Sequence, residues 1–84
     1  VLGDAMGCNN LGVHYSQGLG VGVDPQRASG YLRTACEAGN GLGCSNLAEL
    51  LAGDRLGAPD PEAARALYRQ ACDLGEDSAC ALAQ

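Results

Sequence analysis

No lysine, phenylalanine or tryptophan occurs among the 84 residues, and histidine and methionine occur once each. Each shortage removes a class of chemistry or of packing. Without lysine, none of Ser16, Ser29, Ser45 or Ser78 can be activated by the Ser-x-x-Lys arrangement of penicillin-binding and serine β-lactamase chemistry. The stretch "GLGVG" at residues 18–22 also lacks the Gly-Lys-Ser/Thr ending of a phosphate loop. His14 is the single imidazole, too few for metallo-hydrolysis. No apolar run approaches the roughly 18 residues of a membrane span. The five basic residues, all arginine, face ten acids for a net charge of -5, a surface that repels phosphate backbones and speaks against a nucleic-acid partner. With no large aromatic beyond Tyr15, Tyr31 and Tyr68, the interior must come from Leu, Ala and Val, which implies close helix contacts.

What is present is a period. A shift of 36 aligns the chain with itself, placing Cys8, Cys44 and Cys80 in one column, Cys36 and Cys72 in a second, and Gly3, Gly39 and Gly75 in a third. Asp24-Pro25 matches Asp60-Pro61, Asn10-Leu11 matches Asn46-Leu47, and "RTACEAG" matches "RQACDLG". A period of this length marks stacked supersecondary units. The units run 3–38 and 39–74, with a partial third at 75–84, all within one domain spanning 1–84.

Each unit reads as two helices. Cys8, Leu11, Gly12 and Tyr15 stand at helical spacing, and Cys44, Leu47, Ala48 and Leu51 repeat the stripe. Asp24 and Asp60 are placed as N-caps, each followed by proline at the first helical position. The second stripe is Ala28, Tyr31, Leu32 and Ala35, repeated as Ala64, Leu67, Tyr68 and Ala71. Gly39 and Gly75 sit where a left-handed C-terminal cap is wanted. The short loops between helices allow only antiparallel hairpins. "GDRLGAP" departs from "GLGVGV", which predicts a remodelled loop, and "CALAQ" slips by one from "CSNLA", which leaves the packing of the last helix open.

Cys36 and Cys44 flank a stretch holding three glycines, and a continuous helix would hold them about 12 Å apart, beyond the roughly 7 Å that a bridge spans. A chain reversal at the glycines would let them meet, and the same holds for Cys72 and Cys80. A second pairing, Cys8 with Cys36 and Cys44 with Cys72, is also open, because a first helix starts near the end of its antiparallel partner. Structural zinc favours ligands two to four residues apart, and no Cys-x-x-Cys redox motif is present, so no metal or cofactor is expected. Bridges imply an oxidising compartment, periplasmic or secreted.

The pattern "CNNLGVHYSQGLGVGVDPQRASGYLRTACEAG" closely resembles the Sel-one-like repeat, a relative of the tetratricopeptide repeat, over nearly the whole chain. The paired cysteines make it similar to the disulfide-rich, secreted bacterial proteins of the Hcp type. The resemblance implies an all-α, right-handed α/α solenoid of about two helix-turn-helix repeats plus a partial third. It favours the short-loop bridges Cys36–Cys44 and Cys72–Cys80, leaving Cys8 unpaired and the chain expected to be part of a longer array. It also keeps open a cell-wall or β-lactam-acting role, although no catalytic set supports an enzyme.

A stacked array lines its inner face with first helices. The expected binding positions are therefore Asn9, Asn10, Val13 and Gln17 in the first unit and Ser45, Asn46 and Glu49 in the second. In tetratricopeptide relatives an asparagine at the position of Asn10 and Asn46 often bonds the backbone of a bound peptide, which implies a protein or peptide partner. Glu49 makes a neutral or basic peptide the expected ligand. An architectural role against neighbouring repeats or a larger assembly is the other expectation. Acids such as Asp60, Glu62, Glu76 and Asp77 are better read as dipole partners in first turns than as catalysts.

Overall fold

The computed structural model describes residues 5–84. Five helices follow in order: α1 Ala5–Gln17, α2 Pro25–Glu37, α3 Gly41–Ala52, α4 Pro61–Asp73 and α5 Asp77–Leu82. No strand occurs among the described residues. Helices α1 and α2 form one hairpin and α3 and α4 the next, while α3 also packs on α2 and α1, and α5 packs on α4. The result is a short solenoid slab of 33 × 29 × 16 Å.

Local chemistry sets each helix boundary. Asp24 Oδ1 accepts from the Arg27 backbone N–H at 3.1 Å, and Asp60 Oδ1 does the same for Ala63 at 3.1 Å. Both aspartates thus satisfy a donor that the first helical turn leaves free. The hairpins close identically: the Asp24 N–H donates to the Tyr15 carbonyl at 2.8 Å, and the Asp60 N–H donates to that of Leu51 at 2.7 Å. The loops differ between these fixed ends. The first bends through Gly18 and Gly20 at positive φ, the second through Gly57 alone.

Between hairpins the chain reverses at Gly39 (φ 92°) and Gly75 (φ 102°). Gly39 N–H bonds the Cys36 carbonyl and Asn40 N–H that of Ala35, each at 3.0 Å; Gly75 and Glu76 repeat the pair on Cys72 and Ala71. This is a Schellman ending, which needs the left-handed conformation that glycine adopts without steric cost. The reversals bring the cysteines together at disulfide distance, with Cα separations of 4.5 Å for Cys36–Cys44 and 4.8 Å for Cys72–Cys80. Cys8 is free and buried.

Two apolar clusters fill the interior. Ala28, Leu32, Leu47 and Leu50 join the first hairpin to α3, and Cys36, Cys44, Ala48, Ala64, Tyr68, Ala71, Ala79 and Ala83 fill the second. Two expectations change here. Leu11 is 42% exposed, whereas Leu47 at the same repeat position is fully buried, because Leu47 lies against Ala28 and Leu32 of the preceding second helix. Leu11 has no helix before α1 among the described residues. The slip in "CALAQ" also resolves: Ala83 takes the buried place of Leu47 and Leu82 turns outward, so α5 keeps the repeat register with a smaller side chain.

Candidate functional site: the cleft between the first helices

Helices α1 and α3 pack side by side, and near their C-terminal ends they flank an open cavity of about 200 Å³. It is lined by Val13, Ser16 and Gln17 from α1, Asn46, Glu49 and Leu50 from α3, and Arg55 from the loop that follows. These α1 and α3 residues recur at helical spacing, so their side chains share one face of each helix. Ser16 Oγ donates back to the Val13 carbonyl at 3.0 Å. That bond leaves the hydroxyl oxygen as an acceptor.

Of the residues expected from the sequence, Val13, Gln17, Asn46 and Glu49 line this cavity. Asn9 is buried, and its Oδ1 accepts from Asn46 Nδ2 at 2.9 Å, a bond that ties α1 to α3. The asparagines in sequence register, Asn10 and Asn46, are therefore not equivalent in space: Asn46 bonds the neighbour of Asn10, and Asn10 is exposed outside the cavity lining. Ser45 is half-buried and also outside it.

Arg55 is the residue that sequence reasoning missed. Its guanidinium Nη2 donates to the backbone carbonyl of Ser16, across 39 positions of chain. Ser16 lies in the last turn of α1, where carbonyls lack helical partners and carry the negative end of the helix dipole. Leu19 holds the equivalent position in the first repeat, so periodicity gave no reason to single out Arg55. With it the cavity carries a cation as well as Glu49. Glu49 also acts inward: burial first, and then this carboxylate, push the Tyr68 hydroxyl above the usual tyrosine range.

The opposite face is built differently. Arg27 lies over the Tyr15 ring with its guanidinium carbon 5.3 Å from the centroid, and the Tyr15 and Tyr31 rings stack at 5.8 Å. The Tyr15 hydroxyl and then its charge, followed by the Asp24 carboxylate 3.7 Å away, hold Arg27 above the ordinary arginine range. Among the described residues no group of three or more His, Cys, Asp or Glu side chains is placed to hold a metal ion. No helix among the described residues is long and apolar enough to cross a membrane.

The comparisons with known proteins agree on one architecture. The family model described as Sel1 repeat matches residues 5–40 and again 41–76. Among solved structures, a Sel1 repeat protein from Oxalobacter formigenes is similar with a TM-score of 0.80 and 30% sequence identity. The match covers 92% of this chain and 31% of that one. No curated protein matches the sequence.

Proposed function

The chain belongs to the Sel1 repeat family, and on that premise we propose that it is a protein-interaction module whose partner lies in the cleft between α1 and α3. Proteins of this family generally mediate protein–protein contacts, and their fold is typically a scaffold without catalysis of its own. The observation that carries the reading is the cavity itself. Both first helices turn polar and apolar side chains into one opening, and Asn46, Gln17 and Ser16 supply acceptors and donors for a peptide backbone. The Asn46 side-chain oxygen makes no hydrogen bond within the described residues, so it remains available.

The two cysteine pairs serve this role as staples. In our reading they are oxidised, in a periplasmic or extracellular setting; Cys36–Cys44 fixes the angle between the two hairpins and so the width of the cleft, and Cys72–Cys80 holds α5 on α4. The test is affinity for partners isolated from the native compartment. Gln17→Ala combined with Glu49→Ala removes two exposed cleft side chains and is expected to weaken binding about tenfold. Thr34→Ala on the opposite face is expected to leave it unchanged. Equal affinity of all three proteins would remove the cleft from the account.

A further inference from the structure

Arg55 and Glu49 line one cavity, yet they do not neutralise one another. The one ion pair among the described residues is Arg27 with Asp24. Arg55 instead donates to an uncharged carbonyl, that of Ser16, and keeps its full charge at the cleft. A guanidinium has five N–H donors, and this contact occupies one of the two on Nη2. The cation is thus positioned by the fold, with further donors directed elsewhere. Glu49 is exposed, and its carboxylate makes no hydrogen bond or ion pair within the described residues. Two opposite charges held apart in one small cavity present a site with a positive and a negative end.

We propose that the cleft selects an extended partner segment carrying both signs of charge, an acidic side chain received by Arg55 and a basic side chain received by Glu49. The inference rests on the cleft reading above and names the class of segment that fits it. Arg55 is exposed at the rim, so a chain can run on past it, and the carboxylate is that of an internal side chain rather than of a C-terminus. Residues two positions apart project from the same face of an extended strand, so an Asp-x-Lys spacing presents both charges to one wall of the cleft. This replaces the neutral or basic ligand that Glu49 alone would suggest. The arginine's planar fork pairs with a carboxylate through two parallel bonds, which gives geometric selection as well as attraction.

Three short peptides blocked at both ends and identical except for charge test it on the oxidised protein: one with Asp-x-Lys, one with the aspartate only and one with the lysine only. Binding is read from nuclear magnetic resonance shifts of Val13, Gln17, Asn46 and Leu50. The mixed peptide is expected to bind about fivefold tighter than either single-charge peptide, the scale of an exposed ion pair. Arg55→Gln is expected to reduce it to the affinity of the lysine-only peptide, and Glu49→Gln to that of the aspartate-only peptide, while Arg27→Gln changes nothing. If the cleft residues shift but the three peptides bind alike, or Arg55→Gln keeps the preference, the charge selection is wrong while the cleft stands. If no peptide shifts the cleft residues, the cleft reading fails and takes this inference with it.

Discussion

The two hairpins share one backbone frame and fill it with different side chains. Tyr15, Tyr31 and Leu32 in the first become Leu51, Leu67 and Tyr68 in the second, and Gly12 becomes Ala48. In the first hairpin two tyrosine rings stack at the partly exposed edge under Arg27. A Cβ added at Gly12 would stand 2.5 Å from Leu32 Cγ, so the glycine is what lets α1 approach α2 there. In the second hairpin the aromatic ring lies in the core, and Ala48 supplies the methyl group that the first has no room for. Caps and reversals are conserved between the two because they are backbone chemistry. The filling varies because any set of side chains with matched volume keeps the frame.

That comparison breaks most sharply at Leu47. Leu47→Ala, at a fully buried position between hairpins, is expected to cost about 2–5 kcal/mol in urea unfolding. Leu11→Ala, its repeat equivalent, is expected to cost less, about 1 kcal/mol, since that side chain is partly exposed. Comparable costs would show that α1 is covered by something other than the described helices.

The two seams come next. Removing either bridge by paired alanines, Cys36→Ala with Cys44→Ala or Cys72→Ala with Cys80→Ala, is expected to cost roughly 2–3 kcal/mol from loop-closure entropy. The first should be the larger, because both its cysteines are buried in the core, while Cys72 and Cys80 are half-buried and hold only the short α5. Differential scanning calorimetry of the oxidised variants reads the difference.

A smaller contrast lies in the caps of the same seams. Asn40 Oδ1 accepts from the Gly43 N–H at 2.8 Å, whereas Glu76 makes no side-chain cap bond. Asn40→Ala is expected to lose about 1 kcal/mol. Glu76→Ala should stay within about 0.5 kcal/mol of the parent in the same melt.

The smallest effect concerns Tyr68. Its folded hydroxyl holds its proton more tightly than an unfolded one, so its contribution is fully present below the ordinary tyrosine value of about 10 and is lost as pH rises through the raised folded value. An ultraviolet absorbance titration should show a late-ionising tyrosine component that Tyr68→Phe removes. Tyr15→Phe should leave it in place.

Much of this frame was legible in the sequence, for local reasons. Asp24-Pro25 and Asp60-Pro61 start their helices through cap chemistry that is local to those residues, and Gly39 and Gly75 end the same helices. Recurrence at one period then dictated stacking, whereas the reversals allowed the short-loop cysteine pairs without excluding the second pairing, and only the family resemblance favoured them. The cleft was legible only in part. Val13, Gln17, Asn46 and Glu49 fall on helix faces that spacing predicts, but Arg55 reaches the site from a loop whose repeat counterpart carries Leu19 at that position. Asn9 and Leu11 were misjudged for a related reason. Burial at both depends on which helix lies alongside, and a repeat pattern carries the position without the neighbour.

The most direct test of the account compares the two faces in the native compartment. A benzophenone amino acid is placed at Gln17 in the cleft and, separately, at Thr34 beside the Arg27–Tyr31 edge. The account predicts a photocrosslinked partner from the Gln17 position, lost on Arg55→Gln with Glu49→Gln, and none from Thr34. A partner crosslinked from Thr34 and not from Gln17 would contradict it.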